Sequence, residues 1–532
     1  MLRKVRAAEA FGPKLRYLCC CIAFVAACTG ASARVLAEHG SPVDVVLGNI
    51  SSHNSPLRSF FLQTPPFAFG TASAAYQVEG AWNESGREPS IWDTFSHTPG
   101  KVANNENGDV ADDFYHRYLD DIQLMKSMGV KKFRLSISWS RVIPQGRGEV
   151  NQEGLDFYNE LIDALLAADI EPFITLYHWD LPQALEDEYL GWLDERIIDD
   201  FAAYAMVCFN AFSDRVTHFT TFNEPLSFVF IGYDQGKFAP GRCSNRTICA
   251  QGNSSTEPWI ASHHVLLAHA AAAEKLRPIA PNVSISMNLN SDWGEPMTNS
   301  AEDKEAAQHF LDFNLGLYAD PVFLGDYPAS IQAAVPSLPH FTKAQRASLL
   351  GSMDYFALNH YTSHWISASN GSVDEPLQKY NASFVKDGVP IGEKADSDWL
   401  YNVPWGMRKI LNYIDKRYNH PAIYITENGV DVPNENSIPF PQVLEDNFRI
   451  NFYQGYIKNA ALAVTEDGVD VRAYFAWSIL DNFEWADGYA HRFGITYVDY
   501  KNDLKRTPKQ SAHFLAKLFG GSTKSESSSS RL

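Results

Sequence analysis

The feature that most constrains the fold is an alternation between short strand-like runs and longer stretches of helical periodicity, repeated eight times beyond residue 60. In the stretch 154–170, apolar residues recur at helical spacing, at Leu155, Tyr158, Leu161, Ile162, Leu165 and Leu166. Strands that alternate with helices predict a parallel sheet, and eight such units predict a closed (β/α)8 barrel. The strand-like runs are 67–73, 131–139, 172–179, 216–223, 283–290, 354–361, 422–428 and 471–478.

An open, doubly wound α/β sheet is the alternative fold. The eight units contain no glycine-rich phosphate-binding turn, which favours the barrel. The strands lie farther apart in the sequence than the minimal unit requires, so we expect long strand-to-helix loops. No Pro/Ser-rich linker interrupts residues 60–520, and we predict one α/β domain over 61–520, an irregular lead-in over 34–60 and a disordered, Ser-rich tail over 521–532.

The N-terminus has the layout of a targeting segment. Basic residues precede the apolar run "LCCCIAFVAACTGA" (18–31), and the small residues "ASA" (31–33) follow it. This layout predicts a secretory signal peptide over 1–33, and hence an extracellular, cell-wall or vacuolar protein. An uncleaved membrane anchor is the alternative, although the apolar run is short for a membrane span.

Cysteines and glycosylation sequons agree with export. Cys243 and Cys249 flank a short loop, where an oxidising compartment makes a disulfide plausible, and Cys208 lies in an apolar run and is expected to be buried. No Cys/His cluster has zinc spacing, so we predict no metal and no organic cofactor. Seven Asn-x-Ser/Thr sequons are candidate glycosylation sites, at Asn49, Asn83, Asn245, Asn253, Asn282, Asn370 and Asn381.

The net charge limits the kinds of partner. A formal charge of −19 argues against nucleic-acid binding, because nucleic acids bind basic surfaces. We expect a small-molecule partner and no membrane association after signal removal. The sequence is compatible with a monomer or a homo-oligomer.

Polar groups follow the predicted strands repeatedly. In a barrel of this type the active site lies at the C-terminal ends of the strands, so these groups should meet at one rim. Two of them are carboxylates, Glu224 after the fourth strand and Glu427 after the seventh. Cleavage of a glycosidic bond requires one protonated and one ionised carboxyl group on either side of the bond, and their repulsion separates their pKa values.

Seven motifs, in one order along nearly all of residues 67–510, resemble those of glycoside hydrolase family 1 β-glucosidases of the secreted, plant-like type. They are "FAFGTASAAYQVEGAW" (67–82), "FRLSISWSRVIP" (133–144), "LYHWDLPQAL" (176–185), "TFNEP" (221–225), "NHYTS" (359–363), "YITENG" (424–429) and "AYFAWSILDNFEWADGYAHRFGITYVDY" (473–500).

The resemblance implies a role for each matching residue. Glu224 would be the acid/base and Glu427 the nucleophile of a retaining mechanism, which requires carboxyl groups about 5–5.5 Å apart. Arg134 and Tyr361 would contact Glu427, and Trp399 and Phe493 would line the aglycone entrance. Cys243 and Cys249 would form the disulfide of the plant-type loop. Glucose would be bound by Gln77, His178, Asn223, Trp477, Glu484 and Trp485.

The resemblance therefore implies a β-glucosidase that hydrolyses terminal non-reducing β-D-glucosyl residues, from small β-glucosides or oligosaccharides. Glu224 separates the chain from myrosinase-like members, which have glutamine there, and Glu484 would repel a 6-phosphate. A transglucosidase with the same residues and a sugar-binding protein without turnover are the alternatives. We expect the pKa of Glu224 to rise toward about 6 and activity to be greatest under mildly acidic conditions.

Overall fold

The computed structural model describes residues 67–369 and 380–518 of the chain. Eight parallel strands close into a barrel in which each strand pairs with the strands that precede and follow it, and the first pairs with the last. This topology confirms the predicted (β/α)8 barrel. The strands are β1 (Ala68–Ala72), β2 (Lys132–Ser136), β3 (Glu171–Tyr177), β4 (His218–Asn223), β5 (Ser284–Asn290), β6 (Phe356–Asn359), β7 (Ile423–Asn428) and β8 (Val471–Trp477).

Helices occupy the connections between strands. The longer ones are Phe114–Ser127, Gln152–Ala167, Arg196–Phe212, Glu257–Ile279, Ala301–Leu311, Trp405–Arg417, Asn447–Thr465 and Gln510–Leu518. The shorter ones are Ala75–Val78, Ile91–Ser96, Trp139–Val142, Gln183–Tyr189, Pro225–Tyr233, Leu317–Phe323, Ala329–Ala334 and Lys343–Leu349. No helix among the described residues is long and apolar enough to cross a membrane.

Several predicted strands are longer than the observed ones. The run 131–139 was expected to be one strand, but β2 ends at Ser136 and a short helix begins at Trp139. The extra apolar residues are buried all the same: Trp139 is fully buried and stacks on Tyr204 at a ring distance of 4.8 Å. Apolar content alone therefore did not mark where the strand ends.

The long connections carry small sheets of their own. Trp293–Pro296, Ser363–Ala368 and Tyr380–Ser383 form a three-stranded sheet. Three two-stranded pairs complete the set: Val385–Lys386 with Val389–Pro390, Glu393–Lys394 with Tyr401–Asn402, and Thr496–Asp499 with Lys505–Pro508. These additions are the long loops that the spacing predicted.

The barrel interior changes from aromatic to polar along its axis. Near the strand beginnings Phe173 is fully buried and packs against His218 at 4.7 Å and Phe475 at 5.2 Å. One step further, the Thr175 and Thr220 hydroxyls lie 2.9 Å apart. The closed, aromatic end supports the fold, and polar groups collect toward the strand ends.

Some predictions concern residues outside the described ranges. They are the signal peptide over 1–33, the lead-in over 34–60, the tail over 521–532 and the sequons at Asn49 and Asn370.

Candidate active site

A cleft of about 540 Å³ opens at the C-terminal ends of the barrel strands. Its volume suits a small ligand. Two of the predicted residues, Gln77 and Arg134, are fully buried behind the wall rather than in it. The cleft brings together the other predicted residues, His178, Asn223, Glu224, Tyr361, Trp399, Glu427, Trp477, Glu484, Trp485 and Phe493.

An irregularity in β4 aims Asn223 into the barrel. The register with β5 shifts between Thr220 and Asn223. Thr221 bonds His269 of an outer helix at 2.8 Å and Phe222 stacks on Phe201 at 4.5 Å, so two consecutive residues face the helices. A bulge of this kind changes the direction of the following side chains.

Glu224 follows that bulge and precedes the helix Pro225–Tyr233. Its φ of 44° is in the left-handed region, which is rare outside glycine and is often found at functional sites. Pro225 occupies the first helical position, where its missing N–H costs nothing. The strand ends here because this backbone turn and the proline allow no further ladder pairing.

Burial and the charge of Glu427 favour the protonated form of Glu224, and two hydrogen bonds oppose them. Asn359 donates from Nδ2 to Glu224 Oε1 at 2.7 Å, and the Ser227 hydroxyl donates to Oε2 at 2.7 Å. Burial, followed by the charge of Glu427, raises the pKa of Glu224 to about 8. The direction of this shift is the one expected from the sequence.

Glu427 is held by a cation instead. Arg134 Nη1 donates to Glu427 Oε1, and the Tyr361 hydroxyl donates to Oε2 at 2.8 Å. Burial raises the pKa of Glu427 above its usual value, and Arg134 and Tyr361 oppose that shift. The register of β7 with β6 shifts between Ile425 and Glu427, a second irregularity next to a carboxyl group of the site.

Polar side chains beside the carboxyl groups are linked to one another. Asn223 donates from Nδ2 toward His178 Nε2 at 2.9 Å and accepts from Arg134 Nη2 at 2.6 Å. Gln77 donates to Asn482 Oδ1 at 2.9 Å and lies 3.4 Å from Glu484 Oε2, and its own amide oxygen has no partner among the described residues. Such acceptors can bind hydroxyl groups.

Aromatic rings form the remaining walls. Trp477 lies nearly parallel to the His178 ring at 5.9 Å, and Trp485 packs on Trp179 at 4.3 Å. Farther out, Trp399 is 46 % exposed and lies nearly parallel to the buried Phe493 at 6.3 Å. A deep polar and aromatic pocket therefore continues into a more open aromatic entrance.

Asn359 and Ser227 help to hold the carboxyl groups of the site in place. Neither residue is among the site residues predicted from the sequence. Asn359 bonds Glu224 and accepts from Thr426 Oγ1, next to Glu427, at 2.7 Å. Ser227 bonds Glu224 and accepts from Asn290 Nδ2 at 3.1 Å. The available signals were the position of Asn359 at a strand end and that of Ser227 one helical turn after Glu224.

Asp396, Asp431 and His491 form a group that could hold a cation, with ligand atoms within 4.8 Å of one another. His491 Nδ1 lies 3.2 Å from Asp396 and 3.1 Å from Asp431. The contact with Asp431 raises the pKa of His491 to about 9, so the imidazolium can itself serve as the cation between the two carboxylates.

Outside the cleft, the predicted Cys243–Cys249 disulfide is present, and Cys208 is buried and free. The five sequon asparagines that the structure describes are all exposed: Asn83, Asn245, Asn253, Asn282 and Asn381.

A closed parallel barrel with two carboxyl groups at one mouth, one ion-paired with a buried arginine and the other bonded by amide and hydroxyl donors, flanked by hydroxyl-binding and aromatic groups, defines the class of glycosidic-bond hydrolases. The model of glycosyl hydrolase family 1 matches residues 63–522. The chain therefore belongs to glycosyl hydrolase family 1.

Individual relatives agree with this assignment. β-Glucosidase 6 of Oryza sativa subsp. japonica is 51% identical over 465 residues, which cover 85% of this chain and 89% of the relative. A mutant rice β-glucosidase, solved in a covalent complex with glucose, is 50% identical, with a TM-score of 0.83 over 85% of this chain and 97% of that one. A family 1 β-glucosidase of the fungus Humicola insolens, solved with glucose, is 44% identical, with a TM-score of 0.83 over 85% of this chain and 97% of that one.

Proposed function

We propose that Glu224 is the acid/base and Glu427 the nucleophile of this retaining β-glucosidase. The observation that carries the proposal is the unlike treatment of two carboxyl groups in one cleft: Glu427 is ion-paired with Arg134, whereas the pKa of Glu224 is raised to about 8. Asn359 donates to Glu224 and accepts from Thr426, the residue before Glu427, so the two carboxyl groups adjoin one amide side chain.

The reaction follows from these states. The Glu427 carboxylate attacks the anomeric carbon while Glu224 gives its proton to the glycosidic oxygen, so that the aglycone leaves and a glucosyl ester forms. Glu224, now ionised, then takes a proton from water as the water attacks the same carbon. The ester breaks, glucose leaves with its configuration retained, and both carboxyl groups return to their starting states.

Binding of the glucosyl unit is assigned to the groups beside the carboxyls. His178, Asn223 and Glu484 line the cleft and offer donors and acceptors to the sugar hydroxyls, and Trp477 and Trp485 offer ring faces to its apolar side. Gln77, fully buried behind Glu484, takes part through its contact with that carboxyl group. Buried polar groups of this kind reject sugars that leave them unpaired. Trp399 and Phe493 flank the entrance through which the aglycone extends.

Substitution with rescue separates the two roles. Glu427→Ala and Glu224→Ala should each lower the kcat of an aryl β-glucoside at least about a thousandfold, as removal of a bond-forming group does. Azide should then give α-glucosyl azide with Glu427→Ala and β-glucosyl azide with Glu224→Ala. Glu274→Ala, on the exposed face of the helix Glu257–Ile279, is the matched control. Near-normal turnover by Glu427→Ala, or exchanged azide products, would contradict the assignment.

We propose that water is the acceptor of the glucosyl group, since the relatives described above are β-glucosidases and none of them favours the transglucosidase alternative. Product analysis with an added alcohol acceptor checks this. Free glucose should remain the main product at low acceptor concentration.

We also propose that the chain is exported and glycosylated. The N-terminal layout, the Cys243–Cys249 disulfide and the exposed sequons support this. N-terminal sequencing of protein made in a eukaryotic host should begin after residue 33, and glycosidase treatment should lower its mass. An intact N-terminus would contradict export by this signal.

A further inference from the structure

One wall of the cleft runs away from Glu224 along the helix Pro225–Tyr233. Ser227, Ile231 and Gln235 line the cleft at four-residue spacing, which is one face of a helix continued just past its end. If Glu224 protonates the glycosidic oxygen, as the proposed function holds, the departing aglycone lies against this wall. The inference below rests on that proposed function.

Lys237 stands at the far end of the same wall. It is exposed and is the one lysine or arginine that lines the cleft within the part of the chain that the structure describes. Across those described residues its ammonium group makes no ion pair or hydrogen bond. Its backbone is fixed, because its N–H donates to Ile231 O at 3.0 Å and the next residue, Phe238, packs on Trp179 at 5.4 Å.

The carboxyl groups of the inner cleft do not offset this charge. Glu427 is already paired with Arg134. Glu224 is protonated at neutral pH, because its pKa is raised to about 8. The pKa of Glu484 is also raised well above its usual value, by burial and then by the charges of Asp487, Asp431 and Glu427.

The two outer carboxyl groups each lie near a histidine. Asp292 contacts His364 Nε2 at 3.0 Å. Asp487 lies at the exposed rim, where the charge of His491 acts on it. Among the described residues that line the cleft, Lys237 is therefore the one lysine or arginine side chain available to meet an anion.

We propose that Lys237 is a specificity-determining residue that selects β-glucosides whose aglycone carries an acidic group. The carboxylate would pair with the Lys237 ammonium after the ring system has passed Trp399. The pair would be solvent-exposed, so the preference should be a few-fold and should weaken with salt.

Paired substrates test this preference, because leaving-group reactivity cancels when the ratio for one pair is compared between the wild type and a variant. Phenyl β-D-glucosides with a carboxylate at the 3-position, at the 4-position or on a two-carbon extension at the 4-position are each compared with the matching primary carboxamide. The quantity measured is kcat/KM for the acid divided by kcat/KM for the amide. At low ionic strength Lys237→Met should lower this ratio about two- to fivefold for at least one pair, through KM, because exposed ion pairs have effects of that size.

Control variants separate a charge effect from a structural one. Lys237→Arg should keep the ratio, and Lys126→Met, at an exposed site outside the cleft, should leave it unchanged. Unchanged ratios for all pairs in Lys237→Met would overturn the proposal. An equal loss for acid and amide would overturn it too, since that result indicates only a packing role.

The outcome is distinguishable from a failure of the proposed function. If the wild type hydrolyses the carboxamides and the ratios do not respond to Lys237, the selection fails and the β-glucosidase chemistry stands. If the wild type hydrolyses none of the glucosides, the proposed function itself fails.

Discussion

At the residue scale, Glu224 and Glu427 carry the same functional group, and their neighbours give them different protonation states. Arg134 donates directly to Glu427, so that carboxyl group ionises first. Its charge then adds to burial in raising the pKa of Glu224. One buried guanidinium thus separates the roles of two otherwise equivalent side chains.

The first residue-scale prediction concerns the pH profile. Activity requires Glu224 protonated and Glu427 ionised, so kcat/KM should fall on the alkaline side as Glu224 loses its proton, near its pKa of about 8. It should fall on the acidic side as Glu427 gains one. A glucoside with an activated leaving group should lose the alkaline fall in Glu224→Gln, because its departure needs no proton. A flat profile from pH 4 to pH 9 would contradict this account.

Ser227 provides the second prediction. Its hydrogen bond stabilises the ionised form of Glu224, so Ser227→Ala should raise the pKa of Glu224 and move the alkaline fall to higher pH. Ser227→Thr keeps the hydroxyl and should keep the profile. The measurement is kcat/KM against pH for the three proteins, and an unshifted alkaline fall in Ser227→Ala would count against this role.

At the scale of elements, the sequence was sufficient for the eight strands and for which side chains follow them. The bulges were not predictable, because the register shift between Thr220 and Asn223 depends on how β4 pairs with β5, a contact distant in sequence. Asn359 was visible as a strand-end residue. Its bridging position became evident only from its contacts with the end of β4 and with β7. The burial of Gln77 behind Glu484 likewise depends on a partner about 400 residues away.

The third prediction concerns a buried ion network beneath the loop that carries Glu484 and Trp485. Lys509 is fully buried and donates to Glu435 at 2.6 Å and to Asp481 at 2.7 Å. Lys509→Met would leave these carboxylates without that cation, so the free energy of unfolding should fall by about 3–5 kcal/mol.

Denaturant or thermal unfolding measures the loss. Lys505→Met, exposed on the strand Lys505–Pro508 that directly precedes Lys509, is the control and should change stability little. Equal stability of Lys509→Met and the wild type would show that the network is not needed to hold the loop.

At the scale of the whole molecule, the barrel separates stability from chemistry along its axis. Aromatic rings around Phe173 close one end, and the bonded Thr175 and Thr220 lie between them and the site. The fold class followed from periodicity alone, since an eightfold alternation leaves few alternatives. The filling of the barrel did not, because inward and outward positions depend on strand tilt and register.

The fourth prediction is a pH dependence of stability. Asp180 is fully buried, and burial raises its pKa to about 8, although Arg87 opposes the shift. The native state thus keeps a proton that the unfolded chain releases above about pH 4, so the free energy of unfolding falls as pH rises from there to about 8.

Asp180→Asn removes the proton that only the native state keeps, so Tm should decline less steeply between pH 5 and pH 8 than in the wild type. Asp187→Asn, exposed on the helix Gln183–Tyr189, is the control and should keep the wild-type slope. A decline as steep in Asp180→Asn as in the wild type would assign the effect to other groups.

The central claim is that Glu427 forms a covalent bond to the sugar. An activated aryl 2-deoxy-2-fluoro-β-D-glucoside tests it most directly, because the fluorine slows both steps while the good leaving group lets the first one proceed. Mass spectrometry of the digested protein should find one fluoroglucosyl group per chain, on the peptide that contains Glu427. A label on Glu224 or elsewhere, or inactivation without any covalent adduct, would contradict the account.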